Sequence, residues 1–389
     1  MSRYQGRFPL LFVTLVFITT VMRPPVASVG PLLAQIQADL GLQSYQTALL
    51  AAVPVVCFGI GAFLTPWLVA KLGIIDTFTI ILGSLSAALL LRPWFGYWIL
   101  LVLTVFAGLG IALVNVAITT LVRNEFPDQV SKITAYYTAL LGVFASIGAL
   151  VAVPLAQISG NWNTSLFFWG AVSFVAFLLW LVTNRGLGHD HSRGSANHIL
   201  NPKVWVSGAT WGIVGYFGFQ SLVFYSVLNW LPSLLETKGY SAIEAGTMLS
   251  FTAVVGVPVG LVVTANLRRI PSIWGLMLVI GSITTVGVLL LLAPAPFAWF
   301  ASGITGVGLA MSFPLSIALI GIKGSSAETT TALSALAQGF GYLLAAIGTY
   351  LIGVIGAGPG GWDQAVWALL AVVLAGVAAG LLVTRSRGV

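Results

Sequence analysis

The sequence predicts an all-α integral membrane protein of twelve transmembrane helices, arranged as two pseudo-symmetric six-helix bundles. Three observations carry that prediction. Of 389 residues, 58% are hydrophobic and only 6% charged, with a mean hydropathy of +1.03, whereas a soluble domain has roughly a quarter charged. Apolar runs recur along the whole chain, each near the ~20 residues that cross about 30 Å of hydrocarbon as a helix. The longest polar stretch, "NRGLGHDHSRGSANHILNPK" at 184–203, divides those runs six and six.

Taken in order, the spans fall near 8–37, 46–70, 74–91, 95–121, 131–158, 164–184, 204–235, 242–267, 272–293, 296–321, 328–356 and 363–384. The first run lacks a small-residue cleavage site at signal-peptide distance and merges into further apolar sequence, so it reads as a retained first helix. Thirteen of the sixteen lysines and arginines lie in the termini and the even-numbered loops; the opposite loops hold only Arg92 and Lys238, and Arg23 lies inside a span. By the positive-inside rule both termini and the central loop are cytoplasmic. The net charge of +7 is therefore a topology signal, and no nucleic-acid partner is expected. The single cysteine, Cys57, excludes an internal disulfide.

The expected organisation is an N-terminal bundle over 1–184, a cytoplasmic linker over 185–203 and a C-terminal bundle over 204–389. His189, His191 and His198 all fall in that linker, where flanking glycine and serine favour a flexible connection over a metal site. The two halves repeat. "FAGLGIALVN" (106–115) aligns with "ITGVGLAMSF" (304–313), matching Gly108 with Gly306 and Gly110 with Gly308, and "GNW" (160–162) falls against "GGW" (360–362). Parallel repeats of six spans place a ligand near the bilayer midplane, between the halves.

On these features the chain resembles the major facilitator superfamily over its whole length. The superfamily's motif between spans 2 and 3 survives in "PWLVAKLGII" (66–75) only as Lys71 and Gly73, with Ala70 in place of the acid. "MRPPVASVGPLL" (22–33), "NEFP" (124–127), "NWLPSLL" (229–235) and "ALAQGFGYLLAAIG" (335–348) are similar to the branch containing cyanate transporters and 2-nitroimidazole transporters. The resemblance implies a secondary transporter of a bacterial-type inner membrane that acts as a monomer, without a cofactor, by alternating access. It does not fix the substrate. Nothing in the spans has the Ser/His/Asp, metal-ligand or phosphate-loop pattern of an enzyme.

Arg23 is the residue that narrows the function. In a helix from Phe8 to about Gln37 it lies near the middle, on the order of 20 Å from the cytoplasmic end, where insertion of an arginine costs roughly 2.5–3.5 kcal/mol. Ending the helix at Met22 would leave about 15 apolar residues, too short a span. Thr19, Thr20, Ala27 and Gly30 lie one turn to either side, polar or small as a cavity-facing stripe requires. None of the nine acids is mid-span. A buried arginine is normally paired, so the missing partner is expected to be the cargo: a small anion, or a molecule with an anionic end.

Tyr225 and Asn229 in span 7, and Gln338 and Tyr342 in span 11, are each one helical turn apart and share a face. Asn115 in span 4 and the Tyr136/Tyr137 pair in span 5 are further candidates, Tyr137 being taken with the site. Each of these groups has an alternative role in interhelical hydrogen bonding or in an interfacial aromatic belt. Pro24, Pro25, Pro31 and Pro232 are expected to kink their spans. No carboxylate or histidine is expected in the pathway, which favours uniport or exchange over a dedicated protonation site. The rival reading is efflux of nitroimidazole-like or other amphipathic compounds, with Arg23 structural; "GVFASIGALVAVP" (142–154) matches the span-5 signature of drug antiporters poorly. A non-transporting receptor of the same fold is the rival of another class.

Overall fold

The computed structural model describes residues 8–126, 129–185, 202–266, 269–270 and 272–385. Among these residues twelve stretches are helical, long and apolar enough to cross a membrane. The first stretch, Pro9–Leu40, is not one helix. It comprises α1 (Phe8–Thr20), the single turn α2 (Pro24–Ala27), a 3-10 turn at Gly30–Leu32, and α3 (Leu33–Leu40). The rest of the first half is α4 (Ser44–Leu72), α5 (Ile74–Leu91), α6 (Gly96–Glu125), α7 (Val130–Ser159) and α8 (Trp162–Thr183). A short α9 (Pro202–Val206) leads into the second half: α10 (Gly208–Thr237), α11 (Ala242–Asn266), α12 (Ile273–Leu290), α13 (Ala298–Lys323), α14 (Ala327–Gly356) and α15 (Gly361–Arg385). The linker histidines His189, His191 and His198 lie outside the described residues.

Chemistry at the helix ends sets several of these boundaries. A reciprocal pair of hydrogen bonds between Gln43 and Gln46 caps α4, Ser326 and Thr329 cap α14 in the same way, and the Asn161 side chain accepts from the Asn163 amide at the start of α8. Gly73 alone links α4 to α5, at φ +80°, a conformation a side chain would strain. That explains why this glycine stands where most of the surrounding motif is absent.

The glycines shared by the repeats do the same job in both halves. A Cβ on Gly108 would stand 3.0 Å from Cys57 Cβ on α4, and one on Gly110 3.0 Å from Leu85 Cβ on α5. In the second half a Cβ on Gly306 would collide with the Thr252 carbonyl on α11, and one on Gly308 with Thr284 on α12. The fourth helix of each half thus lies against the second and third at backbone distance.

The halves meet along three seams. On α4 and α14, Gly59 faces the Gly339 carbonyl, 2.8 Å from where its Cβ would be, and Phe63 packs edge-on against Phe340 at 5.7 Å. On α7 and α11, the Ser146 and Ser250 hydroxyls lie 2.6 Å apart, and Ser146 also donates to the Ser250 carbonyl at 2.9 Å. The third seam joins the interrupted first span to α10: a Cβ on Gly30 would collide with the Leu228 carbonyl.

Candidate functional site

The break in the first span is written in its prolines. Pro24 and Pro25 have no N–H, so the carbonyls of Thr20 and Val21 lose the donors that would continue α1. The chain tightens instead, with Val21 donating to Ile18 and Met22 to Thr19 in three-residue turns. Arg23 sits at the break with φ −113° and ψ −45°, and its carbonyl accepts from Ala27 to start α2. The expectation of one helix through Arg23 is therefore corrected: the span has enough length, but the arginine occupies a joint between helical pieces. The expectation of kinks is met by interruption at Pro24 and Pro25, whereas Pro232 stands inside the continuous helix α10.

From this joint Arg23 Nη1 donates to the Tyr225 hydroxyl on α10 at 3.1 Å, crossing from one half to the other. Tyr137 on α7 and Tyr342 on α14 lie within electrostatic range of the same guanidinium. Aromatic rings wall the group. Tyr342 meets Phe217 at 5.0 Å, Phe58 at 5.7 Å and Tyr225 at 6.1 Å between ring centroids, and Phe58 meets Tyr225 at 5.8 Å. Arg23 stays partly accessible while Tyr225 and Tyr342 are buried. No carboxylate interacts with Arg23 among the described residues. A guanidinium has five N–H donors, so spare donors remain beside an apolar wall, where charge-assisted hydrogen bonds are strengthened by the lower dielectric.

The sequence candidates separate around this group. Arg23, Tyr225, Tyr342 and Tyr137 come together. Gln338 is one turn from Tyr342 but donates to Ser334 at 2.8 Å on its own helix. Asn229 is buried and donates to the Tyr225 carbonyl at 2.8 Å, so its amide braces α10. Asn115 is half-buried on α6, with no hydrogen bond to the Arg23 group among the described residues. Tyr136 is half exposed, unlike its neighbour Tyr137. The stripe expected around Arg23 is corrected for three of its four residues: Thr19 and Ala27 are buried, Thr19 donating to Leu15 on its own helix, and Gly30 packs on α10, so these serve packing rather than a cavity, whereas Thr20 is half-buried and donates to the Phe17 carbonyl.

Sequence reasoning missed Phe58, Phe217 and Arg92. Phe217 could have been found, because it stands two turns before Tyr225 on one face of α10; Phe58 carries no local signal. Arg92, expected in an exposed loop, is 2% exposed, and its Nη2 donates to the Pro25 carbonyl at 3.1 Å. Desolvation pushes its guanidinium down to about 10, still cationic at neutral pH. Glu236, one of the nine acids expected outside the middle of a span, is half-buried in the last turn of α10. It lines a cavity of about 390 Å³ with Gln37, Ser44, Thr47, Trp230 and Trp362. A titratable group thus stands in a cavity between the halves, about 16 Å along α10 from Tyr225 at 1.5 Å per residue.

Comparison with known proteins agrees with this architecture. The chain is 30% identical over 381 residues to the uncharacterised transporter YycB of Bacillus subtilis (strain 168), covering 97% of this chain and 94% of that one. It is 29% identical over 355 residues to the 2-nitroimidazole transporter of Escherichia coli (strain K12), covering 91% and 90%. To the cyanate transport protein CynX of the same strain it is 26% identical over 373 residues, covering 94% and 95%. In fold it superposes on a crystal structure of a bacterial homologue of the human lysosomal transporter Spinster with a TM-score of 0.77, at 14% identity, covering 99% of this chain and 98% of that one. Residues 11–349 match the Major Facilitator Superfamily. With twelve spans, paired glycine packing in both halves and a family match over most of its length, the chain belongs to the Major Facilitator Superfamily.

Proposed function

We propose that the protein moves a small anion, cyanate-like or a small organic anion, across a bacterial inner membrane by alternating access, as a uniporter or an exchanger. The observation that carries the reading is Arg23: a guanidinium at the joint of the first span, bonded across the halves to the Tyr225 hydroxyl and facing no carboxylate among the described residues. Such a charge is stabilised most by an anionic ligand. Because its hydrogen bond spans the halves, a ligand that competes for those donors acts on the contact that rocking must break. A relative named as a cyanate transport protein supports the same class. Both termini lie on the cytoplasmic side in this reading, following the distribution of lysine and arginine.

A second reading has its own support. The rings of Phe58, Phe217, Tyr225 and Tyr342 beside Arg23 would suit a flat aromatic compound whose nitro oxygens accept from the guanidinium, and a relative is named a 2-nitroimidazole transporter. One experiment separates the two. Purified wild type and Arg23→Gln are screened by thermal shift against cyanate, nitrate, short carboxylates and nitroimidazoles, since a ligand at 100 times its Kd stabilises by about 2.7 kcal/mol. Stabilisation by an anion in wild type alone supports the first reading. Stabilisation by nitroimidazoles alone supports the second, and equal anion stabilisation in both proteins removes Arg23 from the site.

A further inference from the structure

The joint that carries Arg23 has a second arginine behind it. Within α2 the Ser28 amide donates to the Pro24 carbonyl, but the next amide, Val29, turns back to Val26 at 3.2 Å. In a continuous helix that amide would bond the Pro25 carbonyl. The interruption at Gly30–Leu32 therefore leaves the Pro25 oxygen without its helical donor, in an interior where an unpaired carbonyl is costly. Arg92, just beyond the end of α5, supplies the missing donor through Nη2 at 3.1 Å.

That cation is itself held in place by the fold. Arg92 is 2% exposed, and its Nε has no partner among the described residues. Asn163 Nδ2 on α8 donates to the Pro93 carbonyl at 2.6 Å, fixing the backbone beside Arg92. On the other side of the joint, Pro24 lies against Gly148 of α7, its Cα 2.6 Å from where a Cβ would be. The residue after α5 thus reaches Pro25, α7 lies against Pro24, and α8 holds the backbone beside Arg92 at Pro93. An apolar side chain at this position would avoid the cost of burying the guanidinium but would leave the Pro25 carbonyl without a donor.

We infer that Arg92 is a positioning residue: it clamps the Pro25 carbonyl so that the interrupted span holds one shape and Arg23 projects toward Tyr225. The positioning part rests on the anion reading of Arg23; the clamp does not. Two variants test it, Arg92→Met, which keeps length without a donor, and Arg92→Lys, which keeps a cationic donor. Amide exchange of the segment 26–33 is measured by mass spectrometry on the purified full-length protein. In Arg92→Met, exchange there is expected to rise by roughly tenfold while peptides of α5 and α8 stay as protected as in wild type, and Arg92→Lys is expected to restore most of the protection. Unchanged exchange over 26–33 in Arg92→Met overturns the clamp, and so does an equal rise across α5 and α8, which marks general destabilisation. Uptake of cyanate into liposomes supplies the second readout, with Arg92→Met raising the half-saturating concentration more than it lowers the maximal rate. Looser exchange with an unchanged half-saturating concentration overturns the positioning role of Arg92 and leaves the clamp in place. Absence of cyanate uptake by wild type bears on the anion reading alone.

Discussion

Arg23 and Tyr225 are 202 positions apart in sequence and 3.1 Å apart in space, and their hydrogen bond ties the joint of the first span to the centre of α10. Each belongs to a different half of the molecule. The bond therefore lies where the two halves meet, and it is the first place to test the proposed function.

Tyr225→Phe removes that bond and keeps the ring that packs on Phe58 and Tyr342. A hydrogen bond to a charged group is worth about 1.5–3 kcal/mol, and a ligand must displace this one to reach Arg23 Nη1, so anion affinity is expected to rise by roughly tenfold or more while the thermal midpoint of the unliganded protein falls. Isothermal titration of the anion identified by thermal shift checks it. Unchanged affinity would place the ligand away from Arg23 Nη1.

Gly148→Ala and Gly30→Ala fill the two close approaches around the joint. The first pushes on Pro24 and the second on the Leu228 carbonyl, both backbone contacts that cannot move aside cheaply. Over-packing of this kind costs about 1–3 kcal/mol. Both variants are expected to lower the unfolding temperature in detergent and to reduce transport, whereas Gly208→Ala, with open space around it, serves as the neutral control.

Ser146 and Ser250 offer a reversible lock. Their hydroxyls are 2.6 Å apart across α7 and α11. In a Cys57→Ser background, Ser146→Cys with Ser250→Cys is expected to form a disulfide on oxidation and to stop transport, with reductant restoring it. Full transport by the oxidised, cross-linked protein would show that this seam stays closed throughout the cycle.

Uptake into liposomes under an imposed potential distinguishes the transport modes. Moving one negative charge against 100 mV costs about 2.3 kcal/mol, so uniport of a monovalent anion is expected to respond steeply to voltage and one-for-one exchange not at all. Glu236, in the cavity it shares with Gln37 and Trp362, adds a pH test. If its carboxylate takes no part in coupling, Glu236→Gln keeps the wild-type pH profile of uptake.

Much of the architecture was legible because the bilayer imposes one rule on every span: enough apolar length with all backbone groups bonded internally. The predicted span at 8–37 and the observed stretch Pro9–Leu40 agree to within a few residues. The Gly108/Gly306 and Gly110/Gly308 matches anticipated equivalent packing in the two halves. Arg23 was legible for a related reason, since a charge in hydrocarbon is conspicuous against apolar neighbours. Asn229 was not, because a buried amide reads the same in sequence whether it faces a ligand or, as here, its own helix.

What the sequence by itself determined is the class of the fold, the number of spans and the arginine among them, all set by local composition and hydrophobic length. Tertiary structure decided the rest. Only packing reveals that Arg23 sits at a joint and that Tyr225, Tyr342 and Phe58 from three distant helices close around it. The same holds for Arg92, placed near the bilayer surface by its position in the chain and turned inward by the single Pro25 carbonyl that the break before the 3-10 turn left without a donor. An unpaired backbone oxygen exists only once the helix has broken, and a partner from elsewhere in the chain can be identified only once the helices have met.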